Sequence, residues 1–223
     1  MTIDFAEQRR KMVDGQLRTT DVTSPAILDA MGEVPREAFV PQAVRALAYI
    51  DEDVPVQPAG GEGPRFLMEP SPHAKLLQLA DIRSDDVVLD IGCATGYSTA
   101  VLTLIAGSVI ALESDPHLAA IASETLVDRG YDSAAVVEGP LNLGYASEAP
   151  YDVIVLNGAV DEVPAALFDQ LKDGGRLVGV LGTGNTGRAT VWTKNAGGVA
   201  ARHAFNAAVR PLPGFERQAA FEF

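Results

Sequence analysis

Short apolar runs alternate with amphipathic segments along the chain from residue 87 onward. The runs rich in valine, isoleucine and leucine predict strands at 87–91, 108–113, 134–138, 151–156 and 176–181. The segments between them predict helices at 99–105, 116–129 and 164–171. Strands of this composition that alternate with helices form parallel sheets covered on both faces. We therefore predict an α/β fold with a doubly wound, mostly parallel sheet.

The part of the chain before this alternation has a helical pattern. Apolar positions over 5–31 predict two helices with a break near 19–21. Ser24 and Pro25 suit the start of the second helix, as a capping residue followed by a first-turn proline. This pattern predicts an N-terminal helical element in front of the core.

A segment rich in proline, glycine and acidic residues, 51–65, separates this element from the next predicted helix at 72–80. The segment is either a lid over the functional site or a surface loop. We place the N-terminal helical element and lid loop at 1–80 and the core at 81–223.

The end of the chain carries two further strand candidates, 189–193 and 219–223. A glycine-rich loop at 182–187 precedes the first of them. We expect these strands to pair in antiparallel fashion at one edge of the sheet.

Composition narrows the function classes. The chain of 223 residues has a formal net charge of -13, which argues against general binding to nucleic acid or to an anionic membrane. The acidic balance either keeps the protein soluble or favours a basic partner. The chain begins without a secretory signal pattern, and its single cysteine, Cys93, cannot form an internal disulfide. We therefore expect a cytoplasmic protein.

The run from Val87 to Tyr97 combines an apolar strand, an acidic residue and a turn of small residues. Its spacing, Asp-x-Gly-x-Ala-x-Gly, is typical of Rossmann-like class I S-adenosylmethionine-dependent methyltransferases. A dinucleotide site needs a third glycine where Tyr97 stands, and a phosphate-binding loop needs a Gly-Lys-Ser/Thr sequence that the turn lacks. The pattern therefore predicts S-adenosyl-L-methionine as cofactor.

Small residues in the turn allow the backbone to approach a ligand closely. The residues predicted to form it are Gly92, Cys93, Ala94 and Gly96. The amide groups at the start of the following helix suit a carboxylate, and Asp90 suits an ammonium group, directly or through water.

Glu113 ends the next predicted strand, 23 residues after Asp90, and is followed by Ser114. A carboxylate at this position can accept hydrogen bonds from both ribose hydroxyls. We predict that Glu113 and Ser114 bind the cofactor. The alternative is that Asp90 and Glu113 are ordinary acids at strand ends.

Several ordered motifs resemble the protein-L-isoaspartate (D-aspartate) O-methyltransferase family. They are Arg10-Lys11-Met12-Val13-Asp14-Gly15-Gln16-Leu17-Arg18, Ala30-Met31-Gly32-Glu33-Val34-Pro35-Arg36-Glu37-Ala38-Phe39-Val40-Pro41, Ala48-Tyr49-Ile50-Asp51, Ala149-Pro150-Tyr151-Asp152-Val153-Ile154 and the block 163–178. The resemblance runs from about residue 9 to about residue 182. It implies methyl transfer to the α-carboxylate of isoaspartyl residues in damaged proteins or peptides. The reaction requires no metal, and the acidic charge of the chain argues against nucleic acid and membrane, so we expect none of these as partners.

One departure from the family pattern concerns the active site. The family typically carries Thr-Ile-Ser-x-Pro where this chain has Phe66-Leu67-Met68-Glu69-Pro70, so Met68 stands in place of the serine associated with the active site. Methionine cannot supply that hydroxyl. His73 matches a cofactor-contacting histidine of some members, with a solvent-facing helical histidine as the alternative.

Two further departures lie after predicted strands. Gly139-Pro140-Leu141 replaces the family's Gly-Asp-Gly, so backbone groups and apolar packing against Pro140 and Leu141 are expected to hold the adenine. Asn157 stands where the family has small apolar residues, and it either contacts substrate or caps the strand end. Two alternative functions therefore stay open: methylation of another small acceptor, or cofactor binding without catalysis.

Overall fold

The computed structural model describes residues 3–56 and 64–217. The helices within these ranges are α1 Phe5–Met12, α2 Pro25–Glu33, α3 Pro70–Ala80, α4 Tyr97–Thr103, α5 Pro116–Asp128 and α6 Ala165–Asp169. The strands are β1 Val54–Pro55, β2 Phe66–Leu67, β3 Val87–Ile91, β4 Ser108–Glu113, β5 Ala134–Glu138, β6 Tyr151–Val160, β7 Leu171–Leu181, β8 Arg188–Asn195 and β9 Gly198–Asn206. None of the described helices is long and apolar enough to cross a lipid bilayer.

The central sheet of the described chain has seven strands in the order β5-β4-β3-β6-β7-β8-β9. The pairings from β5 to β7 are parallel, and those of β7 with β8 and β8 with β9 are antiparallel. The predicted α/β class, with a mostly parallel sheet and an antiparallel edge, is confirmed. β4 and β6 flank β3 on opposite sides, so the strand order reverses at β3. Ligands of open α/β sheets bind beyond the carboxyl ends of the strands at such a reversal.

The N-terminal segment packs into the same apolar core as the sheet. Met12, Leu17 and Met31 share one buried cluster with Leu77 of α3 and Val88 of β3. A hydrogen bond also joins this segment to the bend after β3, because the Thr95 hydroxyl donates to the carbonyl oxygen of Phe39 at 2.6 Å. The N-terminal segment therefore supports the place where the sequence predicts the cofactor.

Two predicted boundaries fail because of long-range pairing. β6 continues to Val160, beyond the predicted end at 156, because Ala159 exchanges backbone hydrogen bonds with Arg210 and Leu212. β7 begins at Leu171, which pairs with Tyr151, although the sequence predicts a helix to 171 and a strand only from 176. Chain segments distant in sequence thus lengthen both strands.

Other predicted elements differ more simply. α4 begins at Tyr97 rather than 99, since the turn residue Gly96 occupies its N-cap position. β9 has no counterpart among the predicted strands, because most of its side chains are exposed and its sequence lacks apolar alternation. The candidate strand 219–223 lies outside the described residues.

Candidate active site

The bend between β3 and α4 is narrow and firmly held. Gly92, Ala94 and Gly96 have φ angles of 77°, 51° and 94°, in the left-handed region that favours glycine. The N–H groups of Gly92 and Cys93 both donate to the carbonyl oxygen of Leu112, at 2.8 and 3.3 Å. The bend therefore lies across the end of β4, as the predicted cofactor turn requires.

Asp90 lies at the end of β3 and is fully buried. Its Oδ2 accepts from the hydroxyls of Ser98 and Thr99 at 2.7 and 2.6 Å, and its Oδ1 accepts from Asn157 Nδ2 at 2.5 Å. Burial raises the pKa of this carboxyl, although the three hydrogen bonds oppose the shift. Asp90 thus ties β3 to α4 and β6, and its contact with a ligand ammonium group stays a prediction.

Glu113 lies at the end of β4 and is also fully buried. The guanidinium of Arg65 binds it through two parallel bonds, from Nη1 to Oε1 at 2.5 Å and from Nη2 to Oε2 at 2.7 Å. The Arg65 side chain is only 7% exposed. The N–H groups of Ala94 and Ser114 donate to the same carboxylate, each at 2.8 Å. The predicted ribose-binding acid therefore already has an arginine partner.

His73 lies on α3 and is 2% exposed, so the alternative of a solvent-facing histidine is wrong. Among the residues that the structure describes, neither of its ring nitrogens has a hydrogen-bond partner. Burial, followed by the nearby Arg36 cation, lowers the pKa of His73 to about 3. The imidazole is therefore neutral at pH 7, with two unpartnered polar atoms beside Tyr97, whose ring centroid is 5.9 Å away.

A small cavity with a volume of about 20 Å³ lies between α3 and the bend. Its lining includes Met68, His73, Gly92, Ala94, Tyr97 and Asn157. The structure thus brings together the bend and the positions of the two departures at Met68 and Asn157. Typical ligand pockets measure about 300–1,000 Å³, so this cavity is small for a nucleoside-bearing cofactor.

The remaining predicted residues lie around the bend with different exposures. Cys93 is buried, and burial raises the pKa of its thiol, as expected of a small filler. Gly139 donates its N–H to the carbonyl oxygen of Glu113 at 3.0 Å, next to the exposed Ser114 and Pro140. Leu141 is 2% exposed and belongs to the apolar core. Adenine packing against Pro140 and Leu141 stays a prediction.

Sequence reasoning missed two arginines of this region. Arg65 follows a loop-like segment without a periodic pattern, and nothing in its neighbourhood signals a partner 48 residues away. Arg36 is fully buried, donates to the carbonyl oxygens of Ala48 and Met68 at 2.8 Å each, and lies 4.6 Å from the ring centroid of Tyr97. Ser98 and Thr99 carried a usable signal, since the first turn of a helix faces the end of the preceding strand.

The residue types at the bend fit S-adenosylmethionine. His73 supplies buried polar atoms without a protein partner beside the cavity, and Glu113 is an acceptor suited to a ribose diol. The positive φ angles of Gly92 and Gly96 keep the bend free of side chains. The residues are therefore of the right types for the cofactor. The Glu113 carboxylate itself is bound to Arg65 in this structure.

Residues 7–214 match the family model described as protein-L-isoaspartate(D-aspartate) O-methyltransferase. The chain is 39% identical over 197 residues to protein-L-isoaspartate O-methyltransferase 2 of Anaeromyxobacter sp. (strain Fw109-5), covering 88% of this chain and 79% of that protein. It is 37% identical over 202 residues to protein-L-isoaspartate O-methyltransferase of Gloeobacter violaceus, covering 90% of this chain and 96% of the relative.

Solved structures agree with this likeness. A protein-L-isoaspartate O-methyltransferase matches with a TM-score of 0.81 at 26% identity, over 92% of this chain and 66% of that chain. A putative protein-L-isoaspartate O-methyltransferase from Plasmodium falciparum, in complex with S-adenosyl-L-homocysteine, has the same fold with a TM-score of 0.74 at 18% identity, over 91% of this chain and 96% of that one. The strand-end acids, the glycine bend and these similarities together identify the chain as a member of the protein-L-isoaspartate(D-aspartate) O-methyltransferase family of S-adenosylmethionine-dependent enzymes.

Proposed function

We propose that this protein methylates the α-carboxylate of isoaspartyl residues in proteins or peptides, a repair reaction of damaged chains. The observation that carries the proposal is the family match over residues 7–214, which includes both strand-end acids and the bend between them. The buried Cys93 and the absence of any other cysteine in the sequence support a reducing compartment, and we propose the cytoplasm as the location.

Methyl transfer to a carboxylate requires little acid–base catalysis by the protein. S-adenosylmethionine supplies, when bound, an electrophilic methyl group on a positively charged sulfur. An acceptor carboxylate is ionised at neutral pH and needs no base to activate it. Glu113 and the amide groups at the start of α4 would hold the cofactor, and His73, neutral at pH 7, adds no positive charge to the site.

Alignment of the two reactants is then the main contribution of the protein. Holding a nucleophile and an electrophile in reacting geometry is worth several kcal/mol of the barrier, on the order of 7–11 kcal/mol in the best cases. The walls that exclude water and fix the acceptor include Met68 and Tyr97, which are 8% and 1% exposed. Met68 presents a thioether that accepts hydrogen bonds only weakly and donates none.

A paired peptide assay tests the function. We expect incorporation of labelled methyl groups from S-adenosylmethionine into a peptide with one isoaspartyl residue. The identical peptide with a normal aspartyl residue serves as control and should gain no label, because its side chain places the carboxylate one methylene away from the required position. Labelling of neither peptide, with cofactor binding intact, would contradict the proposal.

A substitution at Met68 tests the departure from the family pattern. We expect Met68→Ser to raise kcat/KM for the isoaspartyl peptide about tenfold, because a new hydroxyl can donate to the acceptor carboxylate with about 1.4 kcal/mol of net stabilisation. Met68→Ala is the matched control, since it removes the thioether without adding a donor. Equal rates in the two variants would show that the hydroxyl is not what the site lacks.

Methylation of another small acceptor is the second candidate function. The specific observation in its favour is that the buried Met68 replaces the active-site serine expected from the family. This candidate predicts cofactor binding, no labelling of the isoaspartyl peptide, and labelling of another component of a cell extract. A protein that only binds the cofactor would label nothing in that extract.

A further inference from the structure

The Glu113 carboxylate has no acceptor capacity left for a ribose. A carboxylate offers about four lone-pair sites. Its donors within the described chain are the two terminal guanidinium nitrogens of Arg65, the backbone N–H groups of Ala94, Ser114 and Asp115, and the Ser114 hydroxyl at 3.4 Å. Six donors therefore share about four sites, and the two hydroxyls of a ribose would have to replace donors that can move.

Among these donors, only the Arg65 guanidinium and the Ser114 hydroxyl can leave without a change in the main chain. The three backbone N–H groups belong to the bend after β3 and to the segment after β4, and their positions follow from the main chain. Arg65, by contrast, reaches Glu113 with a long side chain from the residue just before the two-residue strand β2. Rotation of that side chain removes one donor from each carboxylate oxygen at once.

The same side chain also covers the bend. A Cβ atom placed on Gly92 would lie 3.5 Å from Arg65 Nη2, so the guanidinium lies directly against the residue where the backbone must approach the ligand. The cavity beside the bend is correspondingly small, with a volume of about 20 Å³. Departure of Arg65 would thus clear the acceptor atoms and the space together.

We propose that Arg65 is an intramolecular competitor of the cofactor: it occupies the ribose-binding face of Glu113, and the cofactor binds only when this ion pair opens. The proposal rests on the cofactor site assigned in the proposed function. The apparent affinity of the protein for its cofactor is then reduced by the fraction of molecules in which Arg65 is bound to Glu113.

Calorimetric titration with S-adenosylhomocysteine, the demethylated product, measures this competition without turnover. We expect Arg65→Gln to bind it at least about tenfold more tightly than the parent protein, since the competing state is removed. We also expect a larger rise in melting temperature on addition of S-adenosylhomocysteine, from a lower starting value. Arg65→Lys should fall between the two, because an ammonium cannot form the paired bonds of a guanidinium.

Arg210→Gln is the matched control. Arg210 lies 3.5 Å from Asp53, stacks over the neighbouring Phe66, and has no contact with Glu113, so its loss removes the same charge from the same region. The affinity of the Arg210→Gln protein for S-adenosylhomocysteine should stay within about twofold of that of the parent protein.

Unchanged or weaker binding by a folded Arg65→Gln protein overturns the proposal. If that variant does not fold, unchanged or weaker binding by Arg65→Lys overturns it instead. A structure of the protein with bound S-adenosylhomocysteine in which Arg65 still pairs with Glu113 would also overturn the proposal. If neither the parent nor the variants bind S-adenosylhomocysteine, the cofactor site of the proposed function fails as well. If all bind equally, only the role of Arg65 fails.

Discussion

Glu69 shows how a single titratable residue can make the stability of this fold depend on pH. It precedes α3 beside an acidic cluster, and its N–H donates to Asp53 Oδ1 at 2.9 Å. Burial, followed by the neighbouring carboxylates of Asp51 and Asp53, raises the pKa of Glu69 from 4.5 to about 7. The protonated form is therefore the one that the folded state favours.

The sign of the pH effect follows from this shift. The unfolded chain releases the Glu69 proton near pH 4.5, and the folded protein releases it near pH 7. Between these values the folded protein binds more protons, so the free energy of unfolding falls as pH rises. Glu69→Gln should flatten that decline in urea denaturation curves recorded from pH 4.5 to 8. Glu124→Gln, which removes an exposed carboxylate on α5, should leave it unchanged. An unaltered pH dependence in Glu69→Gln would contradict the prediction.

Both the local sequence and contacts with a distant segment of the chain fix the conformation of the bend between β3 and α4. Gly92 has a φ angle of 77°, and a Cβ there would lie 2.6 Å from Leu212 Cδ2. Leu212 cannot move aside easily, because a Cβ on Gly158 would already lie 2.7 Å from its Cγ. The narrowness of the bend is thus enforced both by its own backbone and by the C-terminal segment.

Gly92→Ala tests this enforcement. We expect a loss of about 1–3 kcal/mol in the free energy of unfolding, from the left-handed backbone and from the contact with Leu212. We also expect weaker binding of S-adenosylhomocysteine. Gly130→Ala is a matched control, since Gly130 has a φ of 76° but open space around its Cβ position. Equal losses in the two variants would show that the contact with Leu212 adds nothing.

The boundaries of helices and strands were predictable where the residues next to the boundary define it. The strands at Val87–Ile91, Ser108–Glu113 and Ala134–Glu138 agree with the sequence prediction at both ends, because apolar runs bounded by polar or glycine residues define them. The start of β7 and the end of β6 were not predictable. Backbone pairing with chain segments distant in sequence decides both, and periodicity carries no information about such pairing.

At the scale of the whole molecule, a buried cation joins the N-terminal segment to the catalytic region. Arg36 is fully buried, and its donors bind the carbonyl oxygens of Ala48 and Met68. Its guanidinium also lies over the ring of Tyr97. Burial lowers the pKa of Arg36, so part of the stabilisation from these contacts is offset by the cost of burying the charge.

Arg36→Ala should lower the free energy of unfolding by about 2–3 kcal/mol, because it leaves two buried carbonyl groups without this donor and opens a cavity. Urea denaturation followed by circular dichroism measures the change. Arg18→Ala, at an exposed arginine whose ion-pair partner within the described chain is Asp14, four residues earlier, should change it by less than about 0.5 kcal/mol. Similar losses in the two variants would refute the special role of Arg36.

Local sequence was sufficient to predict the order of strands and helices in the core, the glycine bend after Asp90 and the acid at the end of the next strand. These features depend on short apolar runs and on the rule that parallel strands end at the same edge of a sheet, so neighbouring residues suffice to specify them. The expected family followed from motifs distributed along the chain, and the match over residues 7–214 confirms it.

The partners of these residues depend on the three-dimensional packing of the chain. Arg65 and Glu113 are 48 residues apart, and Asn157 and Asp90 are 67 apart, so no local pattern connects them. The burial of His73 and Arg36 likewise depends on which segments pack over them. Hydrogen bonds and ion pairs act over a few ångströms in space, whatever the separation along the chain, and the fold alone brings these groups within that distance.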